Sequence, residues 1–412
     1  MFFDKRASFL AMSVIFFAAL VLRIAFIFFY DHHKFLSQGF FSGDSLAYVT
    51  VAQNILHGKG IVLDDYLKAR IAPVYPIFLA LMSAMFGNDM VVVRFAQALL
   101  GALSCVVLYA IVKRLFDQKT AFFAGMIMAC YYPCVQMPAY VMTEELNLFL
   151  FLVTLFAYVS LAEFPGVITG LICGFFYGVS ALCKGVLFGF IPFFAASLFV
   201  CLRQQPLHKR IGYTLLVMLA IGATMTPWAL RNYRLYKAFV PVTVVSGDLF
   251  YKGNSGPNSG GSGGLHVRGV NFPELNNRPA AFNEVEADRF FKQQGMRYLK
   301  EHPRMIPKLA IDKFWNMWRP YHAAGSRMGK IIMLLQYLPL VIGAMVGFFM
   351  SIRDWRKLLL FYFFLAFMVA VHLVLIGIIR YRYLAEPVLI VFAAYALAAM
   401  VSPSCRQGDN NL

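Results

Sequence analysis

The stretch Tyr75–Phe86, YPIFLALMSAMF, decides how the rest of the chain is threaded. About a dozen apolar residues make roughly 18 Å of helix, whereas the hydrocarbon core of a bilayer is about 30 Å thick. A helix that short suits the membrane surface rather than a crossing. Basic residues test this reading. With the stretch left out of the spans, Lys5/Arg6, Lys113/Arg114/Lys119, Arg203/Lys209/Arg210, Arg353/Arg356/Lys357 and Arg406 all fall on one side, as cytoplasmic loops do. Counted as a span, it would send the Lys113–Lys119 cluster and every later basic loop across.

On either side of it, apolar runs predict ten membrane-spanning helices, at roughly 8–30, 91–112, 120–139, 145–162, 166–182, 186–202, 211–228, 331–350, 358–378 and 386–402. The composition agrees: 60% of the 412 residues are hydrophobic and 14% charged, against about 45 to 50% apolar in soluble domains. The fold class expected is an all-α polytopic membrane protein, because each span must satisfy its own backbone and the alternating strands of a barrel are absent. MFFDKRASF and the apolar residues up to Tyr30 read as a retained first helix, since the run is long for a secretory signal and has no clear cleavage site. The seven cysteines lie in or beside apolar segments, which suggests buried thiols rather than disulfides or a zinc site. The net charge of +17 would suggest nucleic acid on a soluble domain; here it divides between topology signals and a surface for anionic headgroups or phosphates.

This threading puts both termini in the cytoplasm and divides the chain into three parts. Residues 1–228 form an N-terminal transmembrane module with a first outer loop at 31–90, 229–330 an extracytoplasmic region, and 331–412 the C-terminal spans. The first outer loop is expected to carry interfacial helices. The extracytoplasmic region reads as a small α/β-type segment: an apolar–polar alternation at Val240–Phe250, a flexible GNSGPNSGGSGG run, then amphipathic helices at 282–298 and 307–318.

Chemistry-bearing residues gather near the outer ends of the spans. Asp44 opens DSLAYVTVAQNILHGKG, a helical pattern closed by glycine. It can cap that helix, or act as a general base at the membrane surface. It has no second acid at DD or DxD spacing, so no metal site is expected. Glu144 and Glu145 stand where an outer turn enters the fourth span; there they favour the helix dipole, yet a carboxylate at that depth usually has a partner or a task. Arg70, Lys184, Arg231, Arg234, Arg380 and Arg382 all fall on the outer side. Singly each reads as an interfacial cation; together they would make a pocket for a phosphate or diphosphate. Arg23 either joins them or snorkels. His372 reads as a satisfied buried histidine, and Tyr131, Tyr132 and Tyr140 as an aromatic belt. The glycine-rich run lacks the Lys-Ser/Thr helix of a nucleotide-phosphate loop.

In order and spacing these pieces resemble the C-type membrane glycosyltransferases, in the branch holding protein O-mannosyltransferases and the lipid A aminoarabinose transferase. GDSLAYVTVAQNILHGKG is similar to that branch's first outer loop, RIAPVYP (70–76) to its basic-Pro-Tyr-Pro turn, and TEELNLFLFL to the acid-headed helix, with Glu144 at the matched position. ALCKGVLFGFIP resembles its Leu-Thr-Lys-Gly segment, with Cys183 in place of threonine. PWALRNYRLYKAFVPV, LFYKGN, EHPRMIPKLAIDKFWNMW and RYRYLAEPVL complete the series.

The resemblance implies inverting transfer of a hexosyl or pentosyl group from a polyprenyl-phosphate donor on the extracytoplasmic face of the membrane; a bacterial inner membrane is expected because the chain is compact and shows no glycosylation or retention signal. No nucleotide, metal or other cofactor is implied. The acceptor is a lipid, glycan or protein; the bilayer is the other partner, and nucleic acid is not one. Asp44 would be the base and Glu144 its assistant. Arg70, Lys184, Arg231, Arg380 and Arg382 would surround the donor phosphate, with Tyr48, Tyr75 and Asn254 lining the substrate site. The alternative is a transporter or flippase of a lipid-linked or anionic substrate, for which internal repeats and charges inside spans would be expected.

Overall fold

The computed structural model describes residues 2–31, 44–256, 282–321 and 327–401. In chain order, the helices are α1 (Phe2–Asp31), α2 (Asp44–Leu56), α3 (Val74–Phe86), α4 (Met90–Leu115), α5 (Gln118–Cys130), α6 (Tyr132–Gln136), α7 (Thr143–Glu163) and α8 (Val167–Cys183). They continue as α9 (Ile191–Cys201), α10 (Leu207–Tyr236), α11 (Ser246–Asn254), α12 (Glu284–Glu301), α13 (Ile306–Trp318), α14 (Arg327–Met350), α15 (Trp355–Val374) and α16 (Glu386–Val401). Each of the ten predicted spans coincides with helix. Among the described residues, five stretches are long and apolar enough to cross a membrane, the last of them Arg327–Val374 holding both α14 and α15, and a bent pair makes a sixth. Val167–Cys183, Gly185–Cys201 and Glu386–Val401 are shorter apolar helices.

The bend falls in the predicted span 120–139, where α5 and Tyr132–Ala139 meet at 57°. Pro133 explains it: a proline cannot donate to the preceding turn and its ring clashes with the carbonyl four residues back, so a new helix starts there. The short helix α3 has one buried face, Tyr75, Leu79, Ala80 and Ser83, and leaves Leu81, Met85 and Phe86 exposed. Such a two-faced helix fits an interface.

Glycine lets two spans touch backbone to backbone. Gly170, Gly174 and Gly178 form one stripe of α8 against α10; a Cβ on Gly174 would lie 2.5 Å from the Val217 carbonyl oxygen, and one on Gly178 2.7 Å from Thr224 Cβ. Small residues every fourth position are a common device of membrane helix pairs, since close packing replaces the missing hydrophobic drive. One apolar core runs from Ile15 and Ala19 on α1 through Phe151 on α7 to Phe392 and Ala394 on α16.

The α/β expectation for 229–330 needs correction: no strand occurs among the described residues. The alternation is real, because Val240, Val242 and Val244 are buried while their neighbours are not. Side chains of α10 take the place of a partner strand: Trp228 Nε1 donates to the Val242 carbonyl at 2.6 Å and Asn232 Nδ2 to that of Val240 at 3.0 Å. Most of the glycine-rich run, from residue 257 on, lies outside the described residues, as do the start of the first outer loop (32–43) and Arg406.

α7 gives the bundle a polarity. Its C-terminal end meets the basic residues, with Arg114 bonded to Ser160 and 3.6 Å from Glu163. Its N-terminal end, at the other end of this 21-residue helix, carries Thr143 and Glu144 into a large cavity.

Candidate active site

The cavity has a volume of about 730 Å³ and is walled by α2, the N-terminus of α7, residues 183–189, 238–249, one side of α12 and the stretch from Phe367 to Leu384. Four charged side chains form a chain across its inner end. Arg380 Nη2 lies 2.6 Å from Asp44 Oδ2, Arg380 Nε 3.3 Å from Glu144 Oε1, and Lys184 Nζ 2.7 Å from the same Glu144 oxygen. Glu144 is fully buried, whereas Asp44 is half exposed. A buried carboxylate is tolerable only with opposite charge beside it, and here it holds two cations in place. Tyr381 lies under both, with Lys184 Nζ 5.3 Å and Arg380 5.6 Å from its ring centre. Asp44 sits in the first turn of α2, and its Oδ2 is turned to Arg380.

The turn Ile378–Leu384 aims Arg380 at this end by fixing the residues around it. Residues 379–384 form a 3₁₀ helix, in which positions three apart eclipse. Arg382 points the other way, into the core: it pairs with Glu386 at 2.9 Å, donates to the Arg319 carbonyl at 2.8 Å and covers the Tyr337 ring. Tyr383 donates its hydroxyl to Glu145 at 2.7 Å. Glu145 and Arg23 face one another across Gly101, where a Cβ would lie 2.5 Å from both Arg23 Nε and Glu145 Oε1.

A second group sits toward the outer rim. Arg70 and Lys252 both pair with Asp248, at 2.7 and 2.8 Å. Burial would raise the Asp248 pKa, but Lys252 and then Arg70 outweigh it and hold the carboxyl below its usual range. Arg70 is set by the loop before it: Glu284 accepts from the Lys68 and Ala69 amides at 3.0 and 2.9 Å and from Tyr236 at 2.7 Å. Arg231 clamps that loop from the other side, donating to the carbonyls of Lys68 and Ile61 at 2.6 and 2.8 Å.

Of the residues singled out from sequence, Asp44, Tyr48, Arg70, Glu144, Lys184 and Arg380 line one cavity. Arg231, Arg382, Tyr75 and Asn254 do not: the two arginines hold backbone, Tyr75 is buried and donates to Gln97 at 2.8 Å, and Asn254 bonds the Phe250 and Val374 carbonyls. His372 lines the cavity, its ring 5.1 Å from that of Tyr381 and tilted to it by 42°, with Nδ1 2.7 Å from the Met368 carbonyl. Sequence reading missed Asp248 and Lys252, although their spacing of four on one helix was a usable signal. It also missed Tyr381 and the apolar wall formed by Phe188, Phe367, Met368, Val371 and Leu375. That wall adjoins the charged end, so the cavity is amphipathic. Among the described residues no three His, Cys, Asp or Glu side chains come together. Asp44 and Glu144 share the Arg380 guanidinium.

Residues 70–228 match the family model described as dolichyl-phosphate-mannose-protein mannosyltransferase. The fold is similar to AglB, the archaeal oligosaccharyltransferase of Archaeoglobus fulgidus, solved with an inhibitory peptide and a dolichol-phosphate (TM-score 0.62, 14% identity, 100% of this chain and 53% of that one). It is similar also to the Archaeoglobus fulgidus oligosaccharyltransferase in the apo form (TM-score 0.63, 15% identity, 96% and 51%). ArnT from Cupriavidus metallidurans bound to undecaprenyl phosphate matches with TM-score 0.47 and 14% identity over 94% of this chain and 77% of that one. This chain thus spans about half the length of the oligosaccharyltransferases it matches. No curated protein matches its sequence.

Proposed function

We infer that this chain, whose fold is that of the C-type membrane glycosyltransferases, transfers a sugar from a polyprenyl-phosphate donor to an acceptor hydroxyl. One observation carries the reading: a cavity in which fixed cations lie between a solvent-reaching carboxylate and an apolar wall. A lipid-linked sugar phosphate has the same three parts in the same order. Its isoprenoid would run along Phe188, Phe367, Met368 and Val371, its phosphate would meet Lys184 and Arg380 with Arg70 nearby, and its sugar would face Asp44.

The reaction is a single displacement with inversion at the anomeric carbon. The acceptor oxygen forms the new bond, its proton passes to Asp44, and the bond to phosphate breaks with its electron pair leaving on the polyprenyl phosphate. Preorganised cations aimed at that developing charge are the main source of rate. Glu144 takes no proton; it holds Lys184 and Arg380 where the phosphate needs them. Arg380 occupies Asp44 Oδ2 and leaves Oδ1 for the acceptor. No metal is needed, because the guanidinium bridges the two carboxylates.

Orientation follows from charge. The site and the basic loops stand at opposite ends of α7, so placing Lys113, Arg114 and their like in the cytoplasm puts the cavity on the extracytoplasmic side of a bacterial inner membrane. Residues 1–228 would supply most of the catalytic module, 229–330 the outer rim, and 331–412 the span and turn bearing Arg380. The donor sugar is a hexose or pentose, and the acceptor a lipid, glycan or protein.

Mass spectrometry of lipid co-purifying with the wild-type protein tests the reading. The expected lipid is a polyprenyl phosphate, with or without one sugar, depleted at least about tenfold in Lys184→Met. Purified protein that moves labelled lipid across liposomes and forms no glycosidic product would overturn it.

A further inference from the structure

Lys313, on α13, is buried and lies outside the cavity, yet two of the segments that line the cavity meet at its ammonium. Its Nζ donates to Asn254 Oδ1 at 2.7 Å and to the carbonyls of Leu373 and Val374 at 3.0 and 3.3 Å. Those carbonyls end α15, where the last turn has no further amides to accept from and the helix dipole is negative; a cation there is the natural partner. Three chain segments close on this point. A Cβ on Gly253 would overlap the Leu375 carbonyl, and one on Gly377 would overlap the carbonyl of Lys313 itself.

The two segments joined here lead straight into the site. Asn254 ends α11, whose preceding turns carry Asp248 and Lys252. Leu373–Gly377 runs into the turn bearing Arg380 and Tyr381. We propose that Lys313 is a positioning residue: its ammonium fixes α11 and the end of α15 against each other, and so sets Arg380 relative to Arg70 and Lys252 for the donor phosphate. The proposal rests on the donor reading given above.

Burial lowers the Lys313 pKa to about 8. The charged and titratable groups on the elements around it are Lys308 and Asp312 on α13, Asp248, Tyr251 and Lys252 on α11, Arg356, Lys357, Tyr362 and His372 on α15, and Arg380, Tyr381, Arg382 and Tyr383 in the following turn. None is hydrogen-bonded or ion-paired to the ammonium, whose contacts are the three neutral oxygens. Above pH 8 the neutral amine can donate to only two of them. Linkage gives the opposite sign for global stability. A lysine whose pKa is lowered on folding binds more protons unfolded, so its contribution to stability rises with pH from about 8 toward its usual range.

The test is equilibrium binding of undecaprenyl phosphate to the full-length protein in detergent from pH 7 to 9, with thermal denaturation alongside. Wild-type affinity should fall about tenfold across that window while the melting temperature does not fall. Lys313→Met should bind at the weakened level at every pH, and Lys313→Arg should lose the pH step. Wild-type binding that is flat from pH 7 to 9 would overturn the proposal, whether or not the variants fold. So would a step of the same size in Lys313→Met. Wild type that binds no polyprenyl phosphate at pH 7 would overturn the donor reading, and this proposal with it.

Discussion

Glu144 and Glu145 are chain neighbours with opposite surroundings, and Arg380 and Arg382, two positions apart, divide in the same way. The first of each pair looks into the cavity, where Glu144 is shared by Lys184 and Arg380. The second of each looks into the core, where Glu145 meets Tyr383 across from Arg23, and Arg382 meets Glu386. Both regions hold buried charge, but their electrostatics differ. In the core, the Arg382–Glu386 pair and the Tyr383–Glu145 bond are closed against ligand and lock the turn at 379–384. At the cavity, two carboxylates and two cations sit beside 730 Å³ of space, where an incoming phosphate can compete with a carboxylate for a cation.

The contrast can be broken first at the core pair. Arg382→Leu strands the Glu386 carboxylate, leaving it the Tyr131 hydroxyl at 3.1 Å among the described residues. Removing one partner of a buried pair costs about 3 to 5 kcal/mol, so thermal denaturation should show a large loss. Arg380→Leu, by comparison, should leave the melting temperature within a few degrees and remove donor binding. Equal destabilisation by both would erase the distinction between the two regions.

A smaller effect is expected at Gly101, where a methyl would intrude between Arg23 and Glu145. Overpacking of this kind costs about 1 to 3 kcal/mol. Chemical denaturation of Gly101→Ala should show that loss, while transfer per folded molecule stays near wild type. The smallest effect concerns the outer rim. Asp248, with its pKa depressed by Lys252 and Arg70, contributes stability that is full above the ordinary carboxylate range and lost as pH falls through its lowered value. The melting difference between wild type and Asp248→Asn, at most about 1 kcal/mol with Arg70 a third exposed, should be constant above pH 5 and shrink below about pH 4. A difference that grows on acidification would give the wrong sign.

Much of the fold could be read because membrane thickness and basic loops act on the sequence directly. The apolar runs marked the helices, and Tyr75–Phe86 was marked as a short one with a single buried face. Composition could not show that Val240, Val242 and Val244 are buried against α10 without a partner strand, since one period-two pattern serves both cases. In the site, the gathering of Asp44, Arg70, Lys184 and Arg380 could be anticipated from their common side of the membrane. The turning away of Arg382 and Arg231 could not, because a 3₁₀ turn and a loop clamp are decided by tertiary contacts. Lys313 gave no signal at all: a lysine on an amphipathic helix reads as exposed until the helix is docked.

Asp44, the half-exposed carboxylate of the cavity, and not the buried Glu144 or Glu145, is proposed to take the proton. Transfer from a labelled polyprenyl-phosphate sugar in native membranes, measured for wild type and Asp44→Asn with donor binding determined in parallel, tests it most directly. The account predicts transfer lower by about 10² to 10⁴ with donor affinity within about threefold of wild type. Asp44→Asn turning over at the wild-type rate would contradict it.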